Sequence, residues 1–303
     1  MAETSGAAEH HYSDEAHAIN ARDVHFDFDS VPMHYIPGEV LATHIVNVMH
    51  LVLPEGERAM ANCLAEALPL IRDERLREEV AGFIGQESMH ASSHEGARRH
   101  LQSIGLDVES YVRKIAWLVD RILGGHGLTG RAKDAWLKER LGLFAGMEHY
   151  TAVLGEWLLE ADILEEKGMH PTMLDLVRWH GAEEVEHRSV VYDAYMYVDG
   201  SYARKARTAV LASATLLPLF IVSTAHLYRK DPEPNTGRLW PLQFVNATVR
   251  GVIPSFTVFF TELPRYLRPG FHPSQLGPMD TALRYLARSP AARAAGRRWE
   301  PTR

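Results

Sequence analysis

The chain has a single cysteine, Cys63, among 303 residues. That excludes an intrachain disulfide and any metal site built on more than one thiolate. An excess of positive charge is also missing. The net charge is −7, which argues against nucleic acid as a partner. No nucleotide or flavin fingerprint is present. The glycine run Gly124-Gly125-His126-Gly127 lacks phosphate-loop spacing and reads as a turn with His126 in solvent. Residues 1–6 have neither the basic start nor the apolar run of a signal peptide, which predicts a reducing cytoplasm. Long apolar runs are scarce. The stretch 208–225, TAVLASATLLPLFIVSTA, barely reaches the ~20 residues of a membrane span. Pro218 interrupts it, and Ser213, Thr215, Ser223 and Thr224 dilute it. Arg204, Lys205 and Arg207 precede it and Arg229 and Lys230 follow, so charge bias sets no orientation.

Hydrophobic residues make up 46% and charged residues 23%, enough for a full core. Residues 1–30 are polar, with His10, His11 and His17 among small residues, and read as a mobile tail. A helical bundle is expected over 31–200, an apolar helical region over 201–275 and a basic tail over 276–303. A short helix is expected at 39–51, and Pro54 then opens the first long helix from its first turn. Leu53, Glu57, Met60, Ala61, Leu64 and Leu68 share one of its faces. A second long helix runs from Asp73 to about residue 104 and stops at Gly105, and a shorter one covers 108–123. The third, about 132–167, carries Leu141, Phe144, Glu148, Thr151, Gly155 and Leu158 in one stripe. The fourth begins near Pro171 with Leu174, Val177, His180, Glu184, His187 and Val191 on one face.

The chemistry lies where charge interrupts these apolar stripes. Glu87, His90 and His94 stack on the helix face that also carries Leu76, Val80 and Phe83. A carboxylate and imidazoles facing a core are costly unless something pairs them. Glu184-x-x-His187 repeats the pattern, and Glu57 and Glu148 each interrupt the preceding long helix. One Glu from each of two helices and a Glu-x-x-His from each of two others make a six-ligand, two-metal site inside a four-helix bundle. Carboxylates bridge and neutralise two cations, and one imidazole per metal leaves positions open. His94 and His180 lie a turn from ligands on the same faces and are candidate additional ligands, with His94 slightly favoured. His149 points about 100° away from Glu148 and suits packing or support of a ligand. Asp193 is a candidate acceptor for a ligand imidazole. Glu183 is a candidate supporting or acid–base group.

The pattern resembles the ferritin-like di-iron carboxylate superfamily. Within it, several segments look like a bacterial family known as predicted metal-dependent hydrolases. They are Pro54-Glu55-Gly56-Glu57-Arg58, Gly85-Gln86-Glu87-Ser88-Met89-His90, Glu148-His149-Tyr150-Thr151-Ala152, the stretch from Trp179-His180 to Ser189-Val190, and Arg268-Pro269-Gly270-Phe271-His272-Pro273. The likeness covers about 35–275. It implies Glu57, Glu87, His90, Glu148, Glu184 and His187 as ligands. It also implies two divalent ions, iron first, with manganese or zinc as alternatives. The first expectation is a di-iron oxidoreductase that activates dioxygen to oxidise a small hydrophobic substrate, drawing on an external reductant. The alternative is a hydrolase using a metal-bound hydroxide. A third reading is a non-catalytic, iron-handling protein. The apolar stretches 208–225 and 252–263 are expected either to cover the bundle as outer core helices or to touch a membrane surface, the latter placing a cytoplasmic protein peripherally at the inner face. Arg284, Arg288, Arg293, Arg297 and Arg298 add basic charge that suits anionic lipid.

Overall fold

The computed structural model describes residues 18–233 and 240–299. In chain order it contains α1 (Val40–Ala67), α2 (Glu74–Ser103), α3 (Glu109–Leu123), α4 (Gly130–Glu160), α5 (Asp162–Glu166), α6 (Pro171–Glu186) and α7 (Val190–Val198). It continues with α8 (Tyr202–Lys230), α9 (Trp240–Val249), α10 (Val258–Tyr266), α11 (Met279–Arg288) and α12 (Pro290–Trp299). The described residues include no strand, so the fold is all-α.

Local chemistry sets several boundaries. Asp73 caps α2 by accepting the Leu76 N–H at 2.8 Å. Beyond α2, Gly105 turns the chain at φ 114°, a conformation open to glycine. Pro171 occupies the first turn of α6, where its missing N–H costs nothing. Ser201 caps α8 through the Arg204 N–H.

Three expected boundaries differ. The helices expected at 39–51 and from Pro54 onward are one, with Pro54 inside α1. Buried Val48, Leu51 and Pro54 continue into buried Glu57, Met60 and Leu64, so packing overrides the lost backbone hydrogen bond. The third long helix breaks at Ala161, and one turn, α5, follows. The fourth stops at His187 and restarts as α7, so Val191 belongs to a separate helix.

Helix α6 is the centre of the molecule. From Asp175 to Glu186 every side chain is buried. It packs against α4, α2, α11 and α12, while α1 pairs with α2 and also touches α4. A Cβ on Gly155 would stand 2.5 Å from the Gly181 carbonyl, so the α4 and α6 backbones are in contact. α8 lies along α4 with Ala209 and Ala212 against Gly146.

Both expected tails differ where they are described. His10, His11 and His17 lie outside the described residues. Residues 18–31, however, run against α2 and α6, with Val24 and Val31 buried. The basic 276–303 segment contains α11 and α12. Ala282 and Leu286 are buried a turn apart, leaving the arginines of that helix on its outer side. Buried Asp175 accepts from Tyr285 Oη at 2.9 Å and from the Ala291 N–H at 3.0 Å, which fixes both helices to α6.

Candidate metal centre

Helices α1, α2, α4 and α6 turn Glu57, Glu87, His90, Glu148, Glu184 and His187 toward one buried space. Glu87, His90, Glu184 and His187 each offer a ligand atom within 4.8 Å of the others, and all four are buried. Glu57, His90 and His180 form a second such group, which shares His90. His187 Nε2 lies 3.3 Å from Glu87 Oε1, and His180 Nε2 lies 3.1 Å from Glu184 Oε1. Glu148 joins through its Oε1, 2.7 Å from His187 Nδ1.

The donor atoms fit divalent cations. Both oxygens of Glu57, both of Glu87, Glu184 Oε2, His90 Nδ1 and His187 Nε2 are buried without a hydrogen-bond partner. Leaving one such group unpaired costs about 1–3 kcal/mol, and more for a charge. Seven such atoms belonging to one cluster, from acceptor-rich residues, make a nest for positive charge.

Electrostatics agree. Burial and the neighbouring Glu87 push Glu57 well above the usual carboxylate range. Burial and Glu184 do the same to Glu148. Burial raises Glu87 to about 7. Burial would also raise Glu184, but His180, His187 and His90 outweigh it and hold that carboxyl below its ordinary value. Against its burial, His90 is raised by Glu183 and Glu87. His94 and His180 are both lowered, chiefly by burial and then by neighbouring imidazoles.

The remaining candidates separate. His180 stands in the cluster, whereas His94 reaches it only through His180, with Nε2 3.0 Å from His180 Nδ1. His94 Nδ1 in turn lies 2.8 Å from His50 Nδ1 on α1, so of the two candidate additional ligands His180 stands nearer the cluster. Glu183 accepts from His90 Nε2 at 3.0 Å, from Trp179 Nε1 at 3.0 Å and from Arg22 at 2.7 Å. Both its oxygens are engaged, so it orients His90, leaving Nδ1 toward the cluster, and is not a free base. His149 supports no ligand. Its Nε2 faces Glu262 Oε2 at 3.3 Å, and its ring packs on Tyr266 and Phe271. Asp193 is bonded to His272 Nε2 at 2.8 Å, because α7 starts afresh after His187 and carries Asp193 away.

Sequence reasoning missed Arg22, Gln86 and His50. Arg22 bridges Glu183 and Glu186, and Gln86 donates to Glu186 at 2.6 Å. The available signal was charge balance. A helix carrying Glu183, Glu184 and Glu186 in a core needs partners on more than one side.

An all-helical chain with these clustered carboxylates and imidazoles defines a metal-binding class of protein. A family described as predicted metal-dependent hydrolase matches residues 20–277, and the chain belongs to that family. The matched region begins just before Arg22. It ends at Gly277, whose carbonyl accepts from Arg188 at 2.6 Å. No curated protein and no solved structure matches the chain.

Two outcomes are expected. Replacing Glu87 or Glu184 by Ala removes most bound metal, as read by elemental analysis of the purified variants. Full occupancy in both would remove these residues from the site. Second, the folded, metal-free protein keeps a proton on Glu87 up to about 7, against 4.5 for the ordinary group. The folded state therefore binds more protons than the unfolded chain in that window, and metal-free stability falls as pH rises through it. The metal-loaded protein lacks this slope. Denaturant titrations of both forms at either end of the window measure it.

Proposed function

We propose that this chain is a metal-dependent hydrolase with a dinuclear centre inside a ferritin-like four-helix bundle formed by α1, α2, α4 and α6. The observation that carries this is the pair of overlapping ligand groups, Glu87–His90–Glu184–His187 and Glu57–His90–His180. Two overlapping groups suit two adjacent cations, and the family description supports hydrolysis. Glu57, Glu87, His90, Glu184 and His187 would hold the ions, with His180 beside them and Glu148 held against His187. Bound divalent cations polarise a carbonyl or phosphoryl oxygen and lower the pKa of water.

The chain supplies the rest. Glu183, braced by Trp179 and Arg22, fixes the tautomer of His90. Glu148 orients His187. His180 is the group placed to move a proton, since its Nδ1 meets His94 Nε2 at 3.0 Å and His94 meets His50.

A second reading is a di-iron oxidoreductase acting on a small hydrophobic substrate. Four buried carboxylates, Glu57, Glu87, Glu148 and Glu184, favour it, as does the apolar cavity beside the cluster. With no flavin or nicotinamide motif, that chemistry needs an outside reductant.

The surface of α8 to α10 supports peripheral attachment to a membrane. α8 is long and apolar enough to cross one, with mean hydropathy 1.8 over an 18-residue stretch, yet one face packs on α4. Val210, Leu211, Ile221 and Val222 are exposed on α8, as are Leu242, Val245 and Val249 on α9 and Phe260 on α10.

Metal analysis with anaerobic assays of ester, amide and phosphate panels tests the activity. Zinc or manganese with turnover in the absence of oxygen supports hydrolysis. About two irons per chain, with absorption that responds to reduction and air and no anaerobic turnover, moves the assignment to the oxidoreductase. Attachment is tested by co-sedimentation with anionic vesicles. Wild type is expected in the pellet and Leu211→Glu/Val222→Glu in the supernatant; equal partition of the two rejects the α8 face as the contact.

A further inference from the structure

Beside the carboxylate cluster lies an apolar cavity of about 110 Å³ between α1, α4, α8 and residues 254–259. Val48 and Val52 of α1, Leu154 of α4, Leu216 and Phe220 of α8 and Phe259 of α10 form its hydrocarbon walls. Its few polar lining groups are nearly all accounted for. The Tyr150 hydroxyl is 2.6 Å from Ser213 Oγ and 3.3 Å from the Phe259 carbonyl, and Ser255 Oγ is 2.8 Å from Thr257 Oγ1. Apart from the Trp157 indole, Thr151 and His180 remain, together with Gly155, and these three border the carboxylate cluster. Thr151 Oγ1 is 3.3 Å from Glu148 Oε2, and His180 Nε2 is 3.1 Å from Glu184 Oε1. A Cβ on Gly155 would stand 3.2 Å from the Glu184 Cβ. The cavity therefore joins a hydrocarbon wall to the groups that would do the chemistry.

We infer that this cavity is the subsite for an uncharged hydrocarbon group of the substrate, whose reacting bond is then presented at the Thr151–His180 end. The inference rests on reading the carboxylate cluster as a reaction centre. No charged side chain lines the cavity, so a charged group entering it would lose its hydration without a partner. Size limits the occupant. An apolar cavity of roughly 150 Å³ accepts benzene. By proportion, this one encloses about four or five carbons. Ser255, among the lining residues, is exposed. Leu216 and Phe220 occupy the inner face of α8, so that helix roofs the subsite while its outer side faces away.

The test uses binding, so that it does not depend on turnover. The metal-loaded full-length protein is titrated calorimetrically with 1-hexanol, 1-octanol and hexane-1,6-diol. Wild type is expected to bind 1-hexanol at least tenfold more tightly than the diol, whose second hydroxyl must enter the apolar end. Leu216→Trp and Val52→Trp fill the space and are expected to weaken 1-hexanol at least tenfold with metal content unchanged. Leu216→Ala enlarges it and is expected to shift preference toward 1-octanol, a gain that a misfolded protein does not produce. Equal binding of 1-hexanol and the diol by wild type overturns the inference. So does unchanged 1-hexanol affinity in both tryptophan variants. Alcohol binding as expected, with every hydrolytic panel inactive, leaves the subsite in place and removes only the assigned reaction.

Discussion

Everything in this molecule is arranged around carboxylates too close together to carry full charge unaided. Two like charges ~4 Å apart repel by about 4 kcal/mol at an effective dielectric of ~20. A whole domain is stable by only about 5–15 kcal/mol. Glu57, Glu87, Glu148 and Glu184 in one buried space thus pose a problem on the scale of the entire fold. Without cations, burial and mutual repulsion hold several of them protonated, as the raised values of Glu57, Glu87 and Glu148 express. Arg58 offsets only part of the charge at Glu57, its guanidinium being held by Glu55 and Glu95. Arg22 is spent on Glu183 and Glu186, and imidazoles stand among the clustered carboxylates instead. A site so built is matched to metal ions rather than to internal ion pairs.

The need to hold that cluster propagates outward. Because α6 is surrounded on all sides, its glutamates outside the cluster need partners of their own. Arg22, Gln86 and Trp179 provide them for Glu183 and Glu186. Asp175, earlier on the same helix, is satisfied by Tyr285 and the start of α12. The contact between Gly155 and Gly181 lets α4 and α6 approach closely enough for Glu148 to reach His187. Each of these features sits at a different sequence distance from the ligands, yet each follows from having a polar helix at the centre of the fold.

That division explains what was readable in the sequence. The ligand pattern depends only on helical spacing, so Glu87-x-x-His90, Glu184-x-x-His187, Glu57 and Glu148 stood out as charges on apolar stripes. What depended on tertiary contacts was not visible. Pro54 looked like a helix start because its local cost is real, and only the continuous buried face of α1 shows why the helix runs through it. His94 has the same spacing from His90 as a ligand would, but His50 across on α1 and His180 on α6 draw it into a row of imidazoles instead. Asp193 failed for a related reason, since periodicity carries no sign of the break after His187. Composition makes residues 18–30 look like part of a tail, and it is blind to a single arginine answering two buried glutamates.

The extent of the family match adds a last constraint. It includes Arg22 at one end and the whole of α8, α9 and α10 before it stops at Gly277. The segment that braces Glu183 and the helices that close the apolar cavity are therefore within the family's defining length, not additions to a metal-binding core. α8 has to satisfy two surfaces at once. Ala209 and Ala212 press it against α4. Leu216 and Phe220 roof the cavity. Val210, Leu211, Ile221 and Val222 are left on its outer side. A helix with demands on nearly its full circumference reads as a diluted, Pro-interrupted apolar run, with too many small and hydroxyl residues for a simple membrane span and too few charges for an ordinary surface helix. The sequence irregularity of 208–225 follows from a helix that packs on α4 along one side, lines the cavity along another and leaves apolar side chains exposed on a third.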